Sequence, residues 1–108
     1  MIDKTSAKRL LKRWGETGEY IKMAEDRKKI EVYRDDYWDD IIDTATKLEA
    51  RVDDWIEEHL DRHDNLIVYY HWVEKKGYQE IADQLGEPLR SIQYAHAKIL
   101  ELLCATWS

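Results

Sequence analysis

Three observations predict an all-α fold, with an N-terminal helical arm followed by a C-terminal trihelical helix-turn-helix unit. Apolar residues make up 44% and charged residues 37% of the chain, with four glycines and one proline, so helix is favoured and turn material for a sheet protein is scarce. Trp38, Ile41, Ala45, Leu48, Val52 and Trp55 recur in alternating steps of three and four, the seam of a helix that packs on a partner helix. The stretch from Tyr78 to Tyr94 reads as two short helices joined by a tight glycine turn.

The first helix is expected from about Lys4 to Trp14, with Leu10, Leu11 and Trp14 on one face and Lys8, Arg9, Lys12 and Arg13 around it. Gly15-Glu16-Thr17-Gly18 is expected to break it, because two glycines in four residues weaken a helix interior. A second helical region runs from about Glu19 to Arg62, with room for an interruption near Val32 to Asp36, where a β-branched residue and a charge cluster disturb the apolar period. The Trp38 to Trp55 seam is short of three heptads, and it leaves open whether this helix associates with a second copy or packs within the chain.

Asp64-Asn65 has the chemistry of a helix cap, and the helix after it is expected to reach about Lys76, where Gly77 closes it. Helices at 79–85 and 88–103 complete the trihelical unit. Ala82 is the small residue expected at their crossing, Gly86 the left-handed C-cap, and Pro88 fits a first helical turn, where a missing N–H costs nothing. Leu66, Tyr69 or Tyr70, Val73, Ile81, Leu85, Ile92 and Ile99 are the core candidates. The chain thus divides into a charged arm, 1–64, and a C-terminal unit, 65–108.

The net charge of −6 conceals a division along the chain. Residues 1–34 carry +4, residues 35–64 carry −9 and residues 65–108 carry −1. The basic start suits phosphate, while the acidic middle suits a basic protein surface, with Asp39, Asp40, Asp43, Trp38 and Trp55 as its expected contacts. No apolar run approaches the roughly 18 to 20 residues of a membrane span, and the start lacks a signal-peptide core, so the expected location is cytoplasmic. The single Cys104 reads as a small buried hydrophobe.

Signs of catalysis are few. His59 and His63 stand one helical turn apart, with Asp64 or Glu58 near, but this spacing is common and fixes no third metal ligand, so neither metal nor cofactor is expected. The aspartate pairs 35–36, 39–40 and 53–54 point about 100° apart on a helix and do not converge on one reacting group. No phosphate loop, nucleophile elbow or zinc knuckle is present, and the reading is non-enzymatic.

The segment from Asn65 to Leu103 resembles the fourth conserved region of bacterial sigma factors. It is more closely similar to the C-terminal half of phage late-gene transcriptional regulators of the RinA/ArpU type. The residues that carry this are Tyr70, the run from Gly77 to Gly86, Ile92 and Ala97 to Leu100, within about 39 of 108 residues. The resemblance implies a regulator that binds double-stranded DNA, with Leu89, Arg90, Gln93 and Tyr94 facing the major groove and Lys98, Lys75 and Lys76 on phosphates. Arg suits the two guanine acceptors and Gln suits adenine. Glu87-Pro88 departs from the Ser or Thr cap common in that group, and Glu87 beside phosphate is unfavourable. A homo-oligomer, with RNA polymerase or another basic protein meeting the acidic arm, completes the expectation. Two alternatives stand beside it: an acidic interaction module acting on a DNA-binding partner, and the DNA-recognition subunit of a phage packaging complex.

Overall fold

The computed structural model describes residues 1–108 as five α-helices with no strand. These are α1 (Lys4–Ile30), α2 (Asp35–His59), α3 (Arg62–Val68), α4 (Tyr78–Leu85) and α5 (Leu89–Thr106). A short 3-10 turn, Val32–Arg34, joins the first two, and a π-helical turn, Tyr69–Val73, continues α3. No helix is long and apolar enough to cross a membrane.

α1 and α2 form a long antiparallel hairpin. Its register is marked by Trp14 Nε1 donating to Asp53 (2.9 Å), Thr17 Oγ1 donating to Glu49 (3.0 Å) and the Lys28–Asp39 ion pair (2.6 Å). Helices of 27 and 25 residues are each roughly 40 Å long at 1.5 Å per residue, which accounts for the molecule's longest dimension of 52 Å. The seam on α2 is spent inside the chain. Trp38, Ala45, Val52 and Trp55 are buried, and α1 is the principal partner of α2.

One core unites the base of the hairpin with the C-terminal helices. Leu11, Trp14, Val52 and Ile56 belong to the same buried cluster as Ile67, Ile81, Ile92 and Leu103, so the core crosses position 64 without a break. Both ends of the chain are tied down there. Ile2 N donates to the Cys104 carbonyl (3.0 Å), and the terminal ammonium donates to the Trp107 carbonyl (2.7 Å). The far end of the hairpin instead leaves Ile30 and Tyr33 open to solvent.

The sequence reading needs correction at three places. α1 does not stop at Trp14: it passes through Gly15 and Gly18 to Ile30, because packing against α2 outweighs two weak residues. The interruption near Val32 does occur. The cap of α3 is Asp61, whose carboxylate accepts from Asp64 N (2.9 Å), and not Asp64-Asn65. The segment after α3 is closed by Lys75, which takes a left-handed φ of 57°, while Gly77 is extended and starts α4 with Glu80 reaching back to its N–H (3.5 Å). Among the core candidates, Tyr69 is exposed, and Tyr70 is the tyrosine that packs.

Ala82, Ile81 and Ile92 are fully buried where α4 meets α5, and Gly86 holds the turn between them at φ 67°. A methyl group at Gly86 would meet open space, so its cost is conformational only. Gly86→Ala is expected to lower the unfolding free energy by about 1 kcal/mol, read from urea melts, with α-helix content unchanged.

Candidate nucleic-acid interface

α5 presents two faces of opposite character. Ile92, His96, Ile99, Leu100 and Leu103 are buried, while Leu89, Arg90, Gln93, Tyr94, Ala97 and Lys98 form an exposed strip over its first three turns. Pro88 is the N-cap in an extended conformation, one residue earlier than the first-turn position expected for it. Tyr94 is 64% exposed, and the Lys98 ammonium lies 5.5 Å from its ring centroid, so those two side chains share the solvent side. Arg90 and Gln93 carry no intramolecular hydrogen bond or ion pair and stand free.

Glu87, the unfavourable charge beside this strip, is not bare. His63 Nε2 meets its carboxylate at 2.6 Å, while His63 Nδ1 lies 3.1 Å from Asp64. Hydrogen bonds to Asp64 and to Glu87 hold the His63 pKa above its ordinary value, which favours the imidazolium form beside the α4–α5 turn. His59, four residues earlier in sequence, takes no part in this cluster and ends α2. His59 stacks on Trp55 and its Nδ1–H donates to the Trp55 carbonyl (3.0 Å).

The other expected contacts are less available. Lys75 pairs with Glu16 of α1 (3.4 Å), and Lys76 is shared among Glu74 (3.1 Å), Gln84 (2.6 Å) and the face of Tyr70. On α2, Asp39 is held by Lys28 and Asp43 by Lys47 (2.9 Å), which leaves Asp40 as the free member of the expected acidic trio. Trp38 and Trp55 are interior, their indole N–H groups donating to Glu31 (3.0 Å) and to Thr106 (2.8 Å). Neither is presented to a partner.

An aromatic cluster seats α5 on its neighbours. His96 is buried between Trp72 of the π-turn and Tyr78 of α4, and His71 lies against both Tyr78 and His96. The indole N–H of Trp72 can only donate, so His96 Nε2 accepts (3.0 Å), and its proton sits on Nδ1 and donates to the Tyr78 oxygen (3.1 Å). Burial, then His71, then Lys8 lower the His96 pKa from 6.5 to about 4. The imidazole is neutral at physiological pH and acts as a spacer of fixed tautomer. No sequence signal pointed to it, since its partners come from three separate segments.

Compared with known protein families, curated proteins and solved structures, the chain matches none.

Proposed function

We propose that the protein binds double-stranded DNA, with α4, the Gly86 turn and α5 acting as a helix-turn-helix and α5 entering the major groove. Within that class we read it as a transcription regulator of the phage late-gene kind that its C-terminal segment resembles. The observation that carries this reading is the exposed strip on α5, where Arg90 and Gln93 are free of intramolecular partners beside the buried Ile92 and His96. Free guanidinium and amide groups on the early turns of such a helix are the chemistry that pairs with guanine and adenine edges.

The alternative reading makes Asp39, Asp40 and Asp43 a docking surface for a basic protein; Asp39 and Asp43 carry exposed ion pairs with Lys28 and Lys47, and Asp40 carries none.

Fluorescence anisotropy against duplexes from the neighbouring genomic DNA tests the proposal. Arg90→Ala/Gln93→Ala is expected to remove the preference among duplexes, with a loss of roughly 30- to 20,000-fold on the best one, at about 1 to 3 kcal/mol for each of the two bidentate contacts. Equal binding by the variant would overturn the assignment of α5 as the reading helix.

A further inference from the structure

α5 brings only Arg90 and Lys98 to the interface, and Lys75 and Lys76 are engaged with acids of the same chain. Two free cations are too few for DNA affinity at physiological salt, which rests on neutralising several phosphates. The missing charge lies on the first turns of α1. Lys4, Lys8, Arg9, Lys12 and Arg13 are all exposed, none forms an ion pair, and Asp3 is the sole acid in this stretch. That contrasts with Lys28, Arg34, Lys47, Lys75 and Lys76, each of which has a carboxylate partner.

The basic stretch is held rigidly beside α5. Ala7 and Leu11 are fully buried in the common core, and Ile2 is hydrogen-bonded to Cys104 near the end of α5. α1 packs directly against α5 in the common core. One turn beyond Lys12, Glu16 joins α1 to Lys75. At 100° per residue, Lys4, Lys8 and Lys12 lie on adjoining sectors of α1, while Arg9 and Arg13 lie around toward the opposite side.

We propose that the N-terminal turns of α1 are a phosphate-contacting surface for double-stranded DNA, with Lys8 and Lys12 as its principal contacts. This rests on the reading of α5 as the helix in the major groove and supplies what that helix lacks. A backbone contact fixed by the fold positions α5 without carrying sequence information. The charge complementarity is specific to this end of the helix: beyond Glu16 the cations are interspersed with Glu19, Glu25 and Asp26.

The test measures affinity over a salt series by anisotropy, with a labelled duplex of mixed sequence, for the full chain and for Lys8→Gln/Lys12→Gln. Circular dichroism confirms that both are equally helical. Each lost phosphate contact is expected to reduce the magnitude of the slope of log K against log salt by about 0.9, so the double variant should lose nearly two units of slope. The Arg90→Ala/Gln93→Ala variant should instead change the ranking of duplexes and alter the slope by no more than about one unit. Wild-type binding with an unchanged slope in Lys8→Gln/Lys12→Gln would overturn the α1 surface and leave α5 standing. Absence of wild-type binding at low salt would overturn both, and retention on anionic lipid vesicles in that case would assign the basic face to membranes instead.

Discussion

Gly15→Ala is expected to destabilise the protein by about 2 to 4 kcal/mol and lower its Tm by roughly 10 to 20 °C, although alanine is the better helix former. In an exposed helix interior the substitution gains up to about 1 kcal/mol. At position 15 the added methyl would fall on the carbonyl oxygen of Trp72 and come within 2.7 Å of its carbonyl carbon. Both are backbone atoms of the π-turn, so no side chain can rotate to make room. α1 and the π-turn would have to separate, and the separation would reach Trp14 and Val68 in the common core. Gly18, one turn along the same helix, has nothing within 4 Å of its methyl position. Gly18→Ala is therefore expected to raise stability by about 0.5 to 1 kcal/mol. Thermal melts of the two variants beside the native chain give opposite signs if the contact with Trp72 is what requires glycine. A stabilised Gly15→Ala would show that the two segments do not approach so closely.

These two glycines also mark where sequence reasoning failed. Gly15 and Gly18 carry the same local cost, and from sequence alone both read as a break. Only the tertiary partner separates a glycine that a neighbour's backbone demands from one that is merely tolerated. The elements read correctly were those with local causes. Gly86 ends α4 because an exposed left-handed turn favours glycine, and Ala82 and Ile92 follow from helical period. The left-handed residue at Lys75 and the π-turn before it have no comparable local signature, since the chain accepts them to bring His71 and Trp72 against Tyr78 and His96.

The candidate interface divides along the same line. That Leu89, Arg90, Gln93 and Tyr94 share the outward face of the second helix, with Lys98 later on it, came from the resemblance, and all five are exposed on α5. The pairing of Lys75 with Glu16, of Asp39 with Lys28 and of Glu87 with His63 was not legible in the sequence, because each joins residues from different elements. Trp38 and Trp55 show the ambiguity of an apolar seam. Their spacing suits a partner helix, and whether that partner is internal depends on α1 being long enough to cover them. The two-glycine break denied it that length.

Acidification is expected to loosen the seat of α5 through His96, with a loss of about 3 kcal/mol between pH 7 and pH 4. In the folded protein the imidazole titrates at about 4, against 6.5 for an ordinary histidine, so between these values the unfolded chain binds the additional proton. Stability is fully present above about 6.5, falls as the pH drops through this window, and levels off below 4. The cause is geometric as well as dielectric. A proton on Nε2 would point at the indole N–H of Trp72, turning an accepted hydrogen bond into a collision of two donors. The charged and titratable groups around the ring are His71 of the π-turn, Tyr78 of α4 and Lys8 of α1; His71 and Lys8 both disfavour a positive charge on His96. His63 works in the opposite direction. Its pKa is raised, so its contribution is present below the ordinary value and is lost as pH rises through the folded one, outside this window; its exposure keeps that contribution small. Urea melts from pH 7 to pH 4 for the native chain and for His96→Gln isolate the effect. The glutamine side chain keeps an acceptor for Trp72 without a titrating proton. This variant is expected to be less stable at pH 7 and to lose most of the slope between 6.5 and 4. An unchanged slope in it would place the acid sensitivity elsewhere and remove His96 from the account of how α5 is held.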